Sequence, residues 1–345
     1  MSEHISSLSE FLLQAGTEYR VFDMGRCIRS TDAQTFLEIE NGQRVATFPR
    51  QQHAWFGIVY WNKQLSSQQY IWFLKLPLDE QGKVVDAARQ HFLELVMTAL
   101  AEQTQDQSST LEKASQTHQN PYVFTPNQQQ LASFNARSRI AVGASVTEDQ
   151  QMARQYLTSP QVVDWQKVSL QGLADCVHFA DEETLLDWLQ KLNGNFPSTV
   201  KQHFLCALED RPISTQIAQV IAPLVNREQV NSPESLWALR ALAQVDDMPF
   251  REALITDLLT ADNLSGDALT VIVGRHWQAL NNDNMLKLLE HTARHQRQHA
   301  PNFFASLFAD VAQLPDTRNA ALTVLRSPER SQDLAAAIGL LFQPG

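Results

Sequence analysis

With 345 residues, 43% of them hydrophobic and 19% charged, the chain is long enough for two domains, each with its own core. Its formal net charge of −11 falls on both parts: ten Lys/Arg face fourteen Asp/Glu in residues 1–120, and seventeen face twenty-four in 121–345. Such a surface repels a phosphate backbone, which argues against a general nucleic-acid or anionic-membrane role, and no run of about 18 apolar residues offers a membrane span.

The first residues, MSEHISSLSEFLLQAG, lack the basic start and long apolar stretch of a signal peptide. Residues 6–15 read as a short amphipathic helix ended by Gly16. Strands follow at 19–25 (YRVFDMG) and 26–30 (RCIRS), then a helix over 32–40 stopped by Asn41-Gly42. Three more strands, RVATFP (44–49), AWFGIVYW (54–61) and YIWFLKL (70–76), precede a helix over 83–102. The order α-β-β-α-β-β-β-α over residues 1–101 is that of an α+β domain with an antiparallel sheet. By element order alone it is similar to roadblock-type dimerisation domains.

The stretch His53–Pro77 holds seven aromatic residues. On strand 54–61, Ala54, Phe56, Ile58 and Tyr60 line one face and Trp55, Gly57, Val59 and Trp61 the other, so both faces are apolar. A strand apolar on both faces is buried on both, which makes these aromatics core. Only Lys63 and Lys75 lie among them, too few for a nucleic-acid stacking platform.

Residues 102–120, EQTQDQSSTLEKASQTHQN, are polar and read as a linker. From Asn120 no strand pattern recurs, and the third part, 121–345, reads as helices only. Helix starts fall at Thr147, Asp181, Ser214, Pro249, Asn282 and Asp316, in steps of 34, 33, 35, 33 and 34 residues. A second series sits at Pro197, Ser232, Ser265, Pro301 and Pro328. Thr147 opens a capping box, and Ser232-Pro233 places a capping hydroxyl before a proline that needs no amide partner. A helix pair every 34 residues or so is the signature of an α-solenoid of HEAT-like hairpins.

Three constellations bear on chemistry. His291, His295 and His299 in HTARHQRQH share one helix face, but Thr292 stands where a zincin carries Glu, and the outer pair is about 12 Å apart along the axis. With Arg294, Arg297, Arg275, His276 and Lys287 they form a basic patch suited to an acidic partner. Cys27 lies between Arg26 and Arg29, which would lower a thiol pKa, but Ala33 stands where a C-x5-R phosphatase needs arginine. Lys201, Arg240 and Arg275 recur on successive second helices as a ladder of cations. The other cysteines, Cys176 and Cys206, sit on apolar stripes, no CxxC occurs, and the simple reading is a reduced cytoplasmic protein. No GxGxxG, GxxxxGK[ST] or GxSxG is present.

YRVFDMGR, the block from FPRQQHAW to FLKLPLDEQGK, and NPYVFTP (120–126) resemble a gammaproteobacterial family known only as a domain of unknown function. The resemblance implies a cytoplasmic bacterial protein and supplies no activity, cofactor or catalytic residue.

The expectation is a non-catalytic adaptor that binds a protein partner through its helical repeats. The N-terminal domain would serve as a docking or homodimerising head. No cofactor or metal is expected. Binding residues would be Lys201, Arg240, Arg275, His276, His291, Arg294, His295 and Arg297. The alternatives are a HEAT-like protein holding nucleic acid in a local basic groove, and a cryptic enzyme using Cys27 or the His291/His295 pair.

Overall fold

The computed structural model describes residues 7–62, 68–103, 120–298 and 301–342. Contacts divide the chain into two compact units, Met1–Phe134 and Asn135–Gly345. Of the stretch read as a linker, residues 104–119 lie outside the described residues, as does Lys63.

The first unit runs α1 (Leu8–Gln14), β1 (Glu18–Asp23), β2 (Arg29–Thr31), α2 (Ala33–Glu40), β3 (His53–Trp61), β4 (Gln69–Pro77) and α3 (Asp86–Gln103). Its four strands form an antiparallel sheet in the order β2-β1-β3-β4. Helices α1 and α2 start where the sequence supplies a cap: Ser7 accepts from Glu10 N–H and Asp32 from Thr35 N–H. The buried carboxylate of Glu40, at the end of α2, accepts from the backbone N–H groups of Leu8 and Ser9 and so ties the two helices together.

Val21, Ile58 and Trp72 stand side by side across the sheet, as do Asp23, Phe56 and Leu74. This face packs with Leu8, Leu12, Phe36, Ile39, Phe92 and Val96 from the helices into one core. The opposite face is covered too. Phe22, Gly57 and Phe73 are in register, and Phe134 lies on them with ring centroids 5.4 Å from Phe22 and 4.9 Å from Phe73. Gly57 makes room for this, since a Cβ there would fall 2.3 Å from the Phe134 ring. The strand aromatics are therefore core on both sides: Trp55, Phe56, Tyr60, Trp61 and Trp72 are buried.

One expected strand does not form. Residues 44–49 (RVATFP) are drawn into loop contacts instead. Arg44 N–H finishes α2 on Glu38 O, Ala46 N–H donates to Gly82 O, and Pro49 has no N–H to offer a ladder. Pro49 O accepts from Arg26 Nε, and Gly25 lies so close to Phe48 O that a Cβ would meet it at 1.8 Å. With four strands among the described residues rather than five, the order that suggested a roadblock-type domain is not realised. Residues 120–124 return along β4, where Lys75 N–H donates to Tyr122 O and Phe124 N–H to Phe73 O.

Helix α4 (Gln128–Ala141) carries the boundary between the units. The second unit continues with α5 (Glu148–Thr158), α6 (Leu170–Phe179), α7 (Glu182–Asn195), α8 (Ser198–Leu208), α9 (Thr215–Ile221), α10 (Pro233–Ala241), α11 (Met248–Leu258), α12 (Gly266–Arg275), α13 (Asn282–Gln298), α14 (Phe303–Gln313), α15 (Pro315–Val324) and α16 (Gln332–Leu341). No strand occurs among its described residues.

Thr147, Asp181, Ser214, Ser232 and Ser265 each cap the helix expected to begin there, and Pro197 precedes α8. Pro249 lies in the first turn of α11 behind the cap Asp247, and Pro328 precedes Ser331, which caps α16. Ser169, which caps α6, starts a helix the spacing did not mark. Helices α6, α8, α10, α12 and α14 pack each on the next, and α7 packs on α9.

Candidate functional site

A helix leaves its last four carbonyls without partners. In the second unit, several carbonyls at or just past helix ends accept from a side chain 31–37 residues further along the chain. Arg211 donates to Val177 O and to Ala180 O, at the end of α6. Gln244 donates to Glu209 O (2.9 Å) at the end of α8, and His276 Nε2 to Leu239 O (2.9 Å) near the end of α10. His291 Nε2 and Arg294 reach Leu259 O (3.2 Å) and Asp262 O (2.9 Å), just past α11. The guanidiniums of Arg211 and Arg294 suit these positions because the carbonyl end of a helix carries partial negative charge.

One group of charge lies where α8, α10 and α12 end. Glu209 closes α8 and is almost fully buried; its Oε2 accepts from Arg240 Nε and its Oε1 from Arg275 Nε. Burial pushes this carboxyl up, but Arg275 and Arg240 outweigh burial and hold it below the usual carboxylate range. Arg137 donates to the backbone carbonyl of the next residue, Asp210. Nearby, Arg139 pairs with the fully buried Asp175.

The eight expected binding residues are thus distributed as follows. Arg240 and Arg275 meet on Glu209. Lys201 pairs with Glu234 (3.2 Å) and Arg297 with Asp333 (2.8 Å). His276 is fully buried, and burial, then the cations Arg251 and Arg275, push it down to about 3 despite its bond to Leu239. His291 is buried and Arg294 holds a carbonyl, as above. The His295 ring lies 4.8 Å from that of Phe303. His299 lies outside the described residues. The spacing missed Glu209, although the signal was there: in HFLCALEDR a carboxylate ends an apolar helix, where a cation would suit the dipole.

A cavity of about 520 Å³ opens between α13, α14 and α16, with Ala293, Ala305, Ala337 and Leu340 on its wall and the Arg297–Asp333 pair at its side. In the first unit, a second charged group surrounds Asp23. Burial pushes Asp23 up to about 7, opposed by the Gly25 N–H (2.9 Å) and by Arg29, Arg26 and Arg50. Arg26 is itself buried with its Nε on Pro49 O (3.0 Å), and Arg50 stacks 4.0 Å over the Trp55 ring. Cys27, next to Arg26, is buried. Burial also pushes the Cys176 thiol up to about 12 and the Cys206 thiol up to about 11, so neither is a ready nucleophile.

Among the described residues, no three His, Cys, Asp or Glu side chains are grouped to hold a metal ion, and no helix is long and apolar enough to cross a membrane. In comparisons with known proteins, a family described as protein of unknown function (DUF3549) matches residues 3–342. No curated protein and no solved structure matches the chain.

Proposed function

The chain belongs to the DUF3549 family, whose description carries no activity; from its geometry we propose that it is a cytoplasmic, non-catalytic adaptor whose second unit is a HEAT-like α-solenoid that binds another protein. One observation carries this reading: successive helices of the second unit stack, and side chains link residues 31–37 positions apart along the stack. A helix pair that cannot bury its apolar side alone and closes on its neighbour gives a long continuous face and few enclosed pockets. The buried thiols, and the histidines spent on carbonyls, point away from catalysis. Pairing of Arg240 and Arg275 with Glu209, within a chain of net charge −11, points away from a basic groove for nucleic acid. The first unit, with a sheet covered on both faces, would dock or dimerise through its helices or an edge.

The test is affinity purification of the tagged chain from its own host, followed by cross-linking and mass spectrometry. A stoichiometric protein whose cross-links fall on exposed residues of α7–α13 supports the adaptor. Nucleic acid retained at moderate salt, or turnover of a small substrate by the purified chain, overturns it.

A further inference from the structure

Stacked repeats touch only their neighbours, so a linear array opens one interface at a time. Glu209 departs from that rule. Its two oxygens are divided between Arg240, 31 residues on, and Arg275, 66 residues on. The second bond skips a helix of the stack and joins α8 directly to α12. Gln244, just past α10, donates to the backbone carbonyl of the same residue.

We propose that Glu209 is a latch that couples α8, α10 and α12 into one cooperative block, so that these helix ends open together rather than in turn. The physical cause is the buried carboxylate. With one arginine removed, it keeps the other as counter-charge. With both removed, a buried anion stands uncompensated, and that second loss is the larger one. The interfaces on either side of α10 thereby become interdependent, although Arg240 and Arg275 belong to different helices. A neutral amide at 209 removes the dependence. This concerns the stack itself and stands whether or not the adaptor reading does.

The test uses the full chain with Arg240→Gln, Arg275→Gln and both together, each in the natural background and with Glu209→Gln. Hydrogen exchange is followed over residues 204–210, 238–245 and 272–280. A latch predicts that the double substitution raises the opening equilibrium at least tenfold beyond the product of the single effects. All three segments should respond to either single change, and with Gln at 209 the two effects should simply multiply. Independent effects in the natural background, or a response confined to the helix carrying the substitution, overturn the proposal. Should the double variant not fold, the single variants decide: Arg240→Gln alone should raise exchange in 204–210 and 272–280 as well as in 238–245, and this spread should vanish when Glu209→Gln is added. A response confined to 238–245 counts against the latch.

Discussion

Asp23 and His276 are both buried and both titratable, and their surroundings shift them in opposite senses. Burial places Asp23 at about 7. An acid whose folded pKa lies above its unfolded one is favoured by folding in its protonated form. Its contribution is complete below about pH 4 and is lost as the pH rises through 7. Asp23→Asn keeps an acceptor for Gly25 N–H and cannot ionise. The variant should match the natural chain near pH 4 and exceed it at pH 8, by at most ~4 kcal/mol for a shift of this size. Urea midpoints at pH 4, 6 and 8 read the difference; equal loss at all three would sink the idea. For His276, held at about 3 chiefly by burial, the sign reverses. The neutral ring's contribution is present above pH 6.5 and is lost as the pH falls toward 3, amounting to about 2 kcal/mol by pH 5. His276→Gln can donate to the same Leu239 carbonyl and cannot be protonated, so it should flatten the acid side of the stability profile of the second unit. An unchanged slope between pH 6.5 and 4.5 would refute this. The sequence exposed these residues only in part. Spacing singles out Lys201, Arg240 and Arg275 as a ladder of cations, but not that Arg240 and Arg275 both point back to Glu209. The direction of a long side chain depends on how helices cross, which spacing does not encode.

Gly172 sits where α6 crosses α5. A Cβ there would fall 2.4 Å from Asp149 O and 3.2 Å from the Ala153 Cβ. Backbone cannot yield as a side chain can, so Gly172→Ala should force the two helices apart at a cost of about 1–3 kcal/mol. Gly266→Ala is the control: the nearest atom its Cβ would meet, 2.8 Å away, belongs to the far end of the His295 side chain rather than to backbone. Thermal melts of the two variants should differ clearly, and equal melting temperatures would contradict the close crossing. At this scale the sequence was most informative where one residue carries a local mechanism. Thr147, Asp181, Ser214, Ser232 and Ser265 are caps because a short oxygen can reach an N3 amide regardless of the rest of the fold. RVATFP shows the converse. It alternates like a strand, but its fate was decided by distant groups, Arg26 and Gly82, that claim its polar atoms. Ser169 falls outside the even spacing because α6 follows α5 after a short-helical turn at Trp165–Lys167.

For the whole chain, the decisive distinction is between an array and a single helical core. In an array, stability is a sum of local terms, and damage at one end reaches only the neighbouring helices. In a single core, loss of any large part undoes the rest. Helices α13 and α14 pack on α15 and α16, whereas α5, α6 and α8 pack in sequence on one another and α8 packs on α10. Removing residues 315–345 deletes α15 and α16. An array predicts faster amide exchange in α13 and α14, with protection of α5, α6 and α8 kept within about twofold. The latch at Glu209 sharpens the expectation, because α8, α10 and α12 should then resist the fraying as one block. Loss of protection throughout residues 148–275 would mean a single cooperative core. The extended face on which the adaptor reading depends would then lose its physical basis, and the search for function would turn to the cavity beside Arg297 and Asp333.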